Sequence, residues 1–149
     1  MHVLSWRHID LASVALAGLV AGYVMAVAGL WAGKVPGLIA VDIADFGRRY
    51  MVSDRPSAWF FGLFSHLVNS VLFAMAWAMV ILPTLSLPRV ASAVVWGEAL
   101  GIVFAGGLIA PMSGLGVLGH RTRTPRFAIT TIFLHGIWGL LVGLLYVAP

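Results

Sequence analysis

The sequence predicts an all-α integral membrane protein: four transmembrane helices arranged as two duplicated parallel helical hairpins, with a short interfacial helix in the first loop. Three observations lead there. Hydrophobic residues make up 61% of the 149 and charged residues 9%, with a mean hydropathy of +1.01, a composition that in water would expose large apolar patches. Four apolar runs are long enough to cross about 30 Å of hydrocarbon at about 1.5 Å per residue. The second half of the chain also repeats the spacing of histidines and small residues found in the first.

The first span, 11–33, is longer than the apolar core of a typical signal peptide and has no clear small-residue cleavage site, so it is expected to stay as a mature helix. The connection after it, "KVPGLIAVDIADFGRRYMVSDRPS", places Ile39, Ile43, Phe46 and Tyr50 on one helical face and Asp42, Asp45, Arg48 and Arg49 on the other. That pattern predicts an interfacial helix over about 38–51. The second span, 58–82, is joined to the third, 91–112, by the short "PTLSLPRV"; the flexible and then basic "SGLGVLGHRTRTPR" leads to the fourth, 127–147. The whole of 1–149 is expected to be one four-helix domain. Trp6, Tyr50, Trp59, Trp77 and Tyr146 fall near span ends and are expected to anchor the membrane surface. Lys34, Arg48, Arg49, Arg55, Arg121, Arg123 and Arg126 lie on one side, against Arg7 and Arg89 on the other. This asymmetry predicts both termini on the non-cytoplasmic side.

Aligning the second and fourth spans at their histidines brings Phe64 onto Phe133, His66 onto His135, Ser70 onto Gly139, Ala74 onto Gly143 and Trp77 onto Tyr146. Gly18 and Gly22 likewise fall on Gly97 and Gly101, and Ala26 on Ala105. The chain therefore looks like two copies of a two-helix unit, the longer first loop being an insertion in one copy. Each hairpin starts and ends on the same side, so the copies are parallel, related by an axis along the membrane normal. Small residues at four-residue spacing let helix backbones approach in lipid. Gly18, Gly22, Gly97, Gly101, Gly139 and Gly143 are the expected packing positions, within one bundle or against a partner. Trp31, Phe60, Phe61, Trp96 and Phe104 are expected to face outward, toward lipid or a partner.

The stretches "LAGLVAGYVMAVAGL", "VDIADFG", "LIAPMSGLG" and "LHGIWGLLVGLLY", with a histidine early in the second span, resemble a family of small four-helix prokaryotic membrane proteins of unknown function, the loose group of YagU-like inner membrane proteins. The resemblance implies the same fold and a prokaryotic inner-membrane location. It implies no activity.

An ionisable residue inside a span is a functional-site candidate. His66 and His135 each sit about 12 Å past the start of their helices and so at one level. A facing pair at one depth is an arrangement that holds haem b by both axial positions. Ser70, Gly139 and Gly143 would leave room for the macrocycle, and Arg123 or Arg126 could meet its propionates. Alternatively the two rings bond to carbonyls, Ser65 or Asn69 and brace a helix crossing with no cofactor; duplication alone would give the matched depth. Two histidines without a third ligand make a poor metal site. Glu98, the lone glutamate, is expected far in depth from both histidines, as a proton carrier, a partner of Arg89 or a contact to another subunit. Asn69 and Glu98 are the other intramembrane polar residues of interest.

The chain has no cysteine, which removes disulfides, thiolate sites and cysteine nucleophiles. It shows no nucleophile with a base, no phosphate loop and no basic stripe, so neither a stand-alone enzyme nor a nucleic-acid binder is expected. Three classes remain. The first is a non-catalytic accessory subunit of a larger membrane complex, respiratory or electron-transferring, in contact with lipid and other integral membrane subunits and carrying no cofactor. The second is a small haem b electron carrier using His66 and His135. The third is a homo-oligomeric channel or transporter for small solutes.

Overall fold

A computed structural model describes residues 9–148. Four helices are long and apolar enough to span a membrane: α1, Leu11–Trp31, prolonged by a 3₁₀ turn at Ala32–Lys34; α3, Pro56–Thr84; α4, Arg89–Met112; and α5, Arg126–Leu145. A short helix, α2, covers Asp45–Met51. Among the described residues there is no strand. The all-helical architecture and its four membrane-length helices agree with the composition.

Local chemistry sets the ends. Asp10 caps α1, its Oδ1 accepting the Ser13 N–H at 2.8 Å. Pro56 opens α3 where an N–H would go unused. Pro83 and Pro111 sit near the other ends of α3 and α4, each just after a wide π-helical stretch, Trp77–Ile81 and Leu100–Ile109. A proline removes one ladder donor and crowds the carbonyl a turn back. The widened turns route the bonds past that point, Leu82 N–H reaching the Trp77 carbonyl and Ala110 N–H that of Ala105. The 3.6-residue pattern read from the sequence does not contain this shift.

Helix α1 packs on α3 and α5, α4 packs on α5, and α2 crosses α3. Helices α3 and α4 meet mainly near their short connection. A Cβ built on Gly18 would lie 2.8 Å from the Ala74 Cβ, and one on Gly22 2.5 Å from Ser70 Oγ. On the other hairpin, a Cβ on Gly97 would lie 2.5 Å from the His135 carbonyl oxygen and one on Gly143 2.7 Å from the Val90 Cα. Gly139 abuts the Ala93 carbonyl. These small residues thus close the α1/α3 and α4/α5 seams inside the chain, by backbone approach rather than side-chain burial. The α2/α3 crossing is tighter still: a Cβ on Gly47 or Gly62 would strike the other helix's backbone.

Several expectations are corrected. The helix expected over about 38–51 is only Asp45–Met51. Residues before it run back along the bundle, Val41 N–H bonding the Gly29 carbonyl at 2.9 Å and Ile39 N–H the Thr130 Oγ1 at 3.0 Å. Asp42 is not on a wet face: one oxygen accepts the Ala44 N–H at 3.0 Å and the other the Trp59 indole at 2.9 Å. A short carboxylate competing for nearby backbone donors favours such a turn over helix. Trp77 and Tyr146, expected at the membrane surface, are 0% and 3% exposed and pack edge to face at 5.6 Å. Trp96 and Phe104 do not simply face outward. The Trp96 indole donates to the Phe73 carbonyl at 3.0 Å, and Phe104 packs edge-on against Phe73 at 4.8 Å, bridging α4 to α3. Trp31, Phe60 and Phe61 are exposed as expected; Trp6 and Arg7 lie outside the described residues.

Gly97→Val is expected to destabilise the bundle by about 1–3 kcal/mol, the usual cost of overpacking. Gly107→Ala, whose new Cβ meets nothing nearer than the Ile102 carbonyl at 3.5 Å, should be neutral or mildly stabilising. Unfolding of both variants by titration with sodium dodecyl sulfate, followed by circular dichroism, checks the contrast.

Candidate functional site, a histidine-lined cavity

A cavity of about 140 Å³ lies between the helices. Helix α3 lines it with Ser65, His66, Asn69, Ser70 and Phe73, α4 with Leu100, Phe104 and Ala105, and α5 with Thr131, Leu134, His135 and Trp138. Phe46 and Tyr50 of α2 close one end. Burial pushes the Tyr50 phenol above its ordinary value, a hydrogen bond with Ser113 opposing the shift. The lining residues Asn69 and Phe73 of α3 and Phe104 and Ala105 of α4 are half-buried, where α3 and α4 pack loosely on each other.

The structure brings His66 and His135 to the same cavity, each anchored differently. His66 Nε2 is 2.9 Å from the Gly22 carbonyl of α1, a bond across two helices. His135 Nδ1 is 2.8 Å from the Thr131 carbonyl, one turn back on its own helix. The His135 ring also rests on Gly101, where a Cβ would sit 3.0 Å from its Cγ. A carbonyl only accepts, so in each neutral ring the nitrogen facing it carries the hydrogen. The two histidines are therefore opposite tautomers, leaving an unprotonated Nδ1 on His66 and an unprotonated Nε2 on His135. Neither remaining nitrogen has a protein hydrogen-bond partner among the described residues, and neither is sealed from open space.

Two of the surrounding hydroxyls, on Ser70 and Thr131, are satisfied. Ser70 Oγ donates to the Gly18 carbonyl at 2.6 Å and accepts the Trp138 indole N–H, tying α1, α3 and α5 at one point. Thr131 Oγ1 donates to the Phe127 carbonyl at 2.9 Å. The Asn69 amide has no protein partner among the described residues and lines the cavity.

The expectation that Ser70, Gly139 and Gly143 leave room for a macrocycle fails. Ser70 is bonded on both sides, and the two glycines are filled by Ala93, Val94 and Val90. A space of about 150 Å³ holds one benzene, far less than four pyrroles linked in a macrocycle, and His66 has its Nε2 committed to α1. The residues present do not fit haem. Arg123 and Arg126 are exposed and line no part of the cavity. Among the described residues no three His, Cys, Asp or Glu side chains gather as metal ligands.

Glu98 is also placed differently from the expectation. It lies about 14 Å along α4 from Arg89, too far to pair with it, and among the described residues it forms no ion pair. A Cβ on Gly136 would lie 2.7 Å from Glu98 Oε1, and Gly97 just before it abuts the His135 carbonyl. Glu98 thus shares the depth of His135, on another side of α5. The earlier separation came from counting the two spans from opposite ends. Its Oε2 is buried without a hydrogen-bond partner.

Sequence reasoning missed Thr131, Trp138 and Gly136. Thr131 carries a signal, lying four residues before His135, and Trp138 stands out as a tryptophan in mid-span. Gly136 carries none, because a notch depends on which way α5 is turned. No protein-family model, curated protein or solved structure matches the chain.

Nitrogen-15 spectra of histidine-labelled protein in detergent should show His66 protonated at Nε2 and His135 at Nδ1, assigned by His66→Gln and His135→Asn; a shared tautomer would refute the carbonyl anchoring. Ser70→Ala, which strands the Trp138 indole, should cost about 1–3 kcal/mol in the same detergent titration.

Proposed function

We propose that the protein is a non-catalytic subunit of a larger membrane complex, docked through the groove between α4 and α5. The carrying observation is Glu98. A carboxylate deep in hydrocarbon costs about 2.5–3.5 kcal/mol even by the mildest measure, and here one oxygen has no donor. The other oxygen, Oε1, sits in the space that Gly136 leaves on α5, and by helical spacing Val95, Ile102, Ile132 and Leu140, all exposed, form apolar rims on either side. A neighbouring helix seated on those rims would bring a hydroxyl, amide or cation to the carboxyl. The respiratory or electron-transferring nature of the complex stays part of the proposal, to be decided by the partner's identity.

The finer architecture belongs to the same proposal. Two equivalent contacts support the duplicated parallel hairpins: Gly18 faces Ser70 as Gly97 faces Gly139, and Gly22 meets His66 as Gly101 meets His135. The exposed Met51 and Val52, the latter 92% accessible, with Arg49 beside them, support α2 as a surface-lying element. The Lys and Arg asymmetry supports both termini on the non-cytoplasmic side of a prokaryotic inner membrane, and the glycine-rich motifs support placement with the YagU-like group. A solute channel is less favoured, because beyond Ser70 the bundle is filled by Val14, Trp77 and Val142, all 0% exposed.

Native mass spectrometry of the tagged chain, extracted from its own membrane in mild detergent, tests the docking. A stoichiometric integral-membrane partner is expected with the wild type and should be lost with Gly136→Leu, which drives the Glu98 carboxyl off α5. A wild-type chain that runs alone, or a partner retained by both Gly136→Leu and Glu98→Ala, overturns the proposal. A second copy as the sole partner would make it a homo-oligomer instead.

A further inference from the structure

We infer that the central cavity is a binding site for a lipid-soluble hydroxyaromatic molecule, a single phenol or hydroquinone ring bearing an apolar tail. The inference is independent of Glu98 and of any docking partner.

The size comes first. At about 140 Å³ the space matches one six-membered ring. Its walls suit a flat ring, with Phe73 and Phe104 at the rim, Trp138 and Leu134 behind and Phe46 at one end. The polarity is then fixed by the carbonyls of Gly22 and Thr131. Each takes the one hydrogen its histidine carries, so each of these two cavity-lining rings keeps one unpartnered acceptor nitrogen. A ligand with only acceptors meets two lone pairs there, whereas a ligand hydroxyl finds a partner. Asn69, with no protein partner among the described residues, offers an N–H to the same hydroxyl's oxygen and a second acceptor. Water would satisfy the histidines too, but two-thirds of the lining is hydrocarbon or aromatic side chain, which favours a ring carrying its own hydroxyl. The half-buried rim at the α3/α4 joint lets the tail run out into lipid, so the ligand can enter sideways from the membrane.

The test uses the full chain purified in mild detergent and three probes: 4-nonylphenol, its methyl ether 4-nonylanisole, and decylbenzoquinone before and after reduction to the hydroquinone. The ether keeps the shape and loses the donor; the oxidised quinone has acceptors alone. Phenol and hydroquinone are expected to bind about tenfold or more tightly than ether and quinone, the usual scale of one hydrogen bond. His66→Leu and His135→Leu each remove the imidazole acceptor, and the Gly22 and Thr131 carbonyls, which lie within helices, lose only their second hydrogen bond. Either variant should lose most of the preference at unchanged helical content. A variant that fails to fold leaves the wild-type readout, in which the unprotonated His66 Nδ1 and His135 Nε2 signals should shift with the phenol and stay put with the ether. A preference confined to one of the two hydroxyl-bearing probes, nonylphenol or the decylhydroquinone, distinguishes phenol from hydroquinone within the class. Equal binding of phenol and ether, no saturable binding, or a preference unchanged in both variants overturns the inference.

Discussion

The distance at which two backbones can pass in lipid governs this molecule. Apolar side chains gain little by leaving hydrocarbon for protein, so helices are held where nothing keeps their backbones apart. Gly18 and Gly22 bring α1 onto α3, while Gly97, Gly139 and Gly143 bring α4 onto α5. The rest follows from those two seams. With α1 so close, the His66 ring reaches the Gly22 carbonyl and Ser70 reaches that of Gly18. With α4 so close, Gly101 leaves just the width of the His135 ring. The α3/α4 joint has no such glycine seam; it is bridged by the Phe73 and Phe104 rings and the Trp96 indole. Aromatic rings hold helices further apart than hydrogen atoms do, and the cavity occupies the difference.

A second constraint acts within the first. Inside hydrocarbon each polar group needs a partner from the protein, and Ser70, Ser92, Thr130 and Thr131 all have one. Most of these bonds end on backbone carbonyls already engaged in a helix, whose second lone pair is free to accept. The consequence for the histidines is directional: a carbonyl fixes which nitrogen is the donor and so fixes the chemical character of the opposite edge. Glu98 Oε2 stands outside this accounting. The two open features of the bundle therefore differ in kind, an acceptor-lined cavity inside and an acid in an outer groove.

The spans, the glycine packing positions and the two intramembrane histidines were legible in the sequence because each is a one-dimensional signal: hydropathy, four-residue spacing, a polar residue in an apolar run. What escaped depends on three-dimensional placement. The depth of Glu98 relative to His135 requires α4 and α5 to be antiparallel and in a known register. Asp42 looked solvated because its helical face was charged, yet it turns the chain and holds the Trp59 indole. Trp77 and Tyr146 looked like surface anchors because they lie at span ends, and they are buried, packed edge to face against each other. The π-helical stretches before Pro83 in α3 and Pro111 in α4 shift the residues beyond them around the helix axis, and no fixed-period pattern contains them.

The difference between the two histidines bears on how such a site arises. In the duplication proposed above, His66 and His135 begin as equivalents, and so do the residues four positions before them, Gly62 and Thr131. In the first copy that position is where α2 crosses, Gly62 against Gly47 with no space for a side chain. In the second copy it is a threonine whose hydroxyl bonds back to Phe127 and whose carbonyl takes the His135 hydrogen. The first histidine is turned to the neighbouring helix, the second to its own. Two equivalent rings in one tautomer would point the same kind of nitrogen at each other across the axis. The two different carbonyl partners, on α1 for His66 and on its own helix for His135, leave instead one Nδ1 and one Nε2 free on rings that line a shared space. An asymmetric pocket from a symmetric pair is what a single, directional ligand requires, and the longer first loop, which supplies α2, is the element that breaks the symmetry.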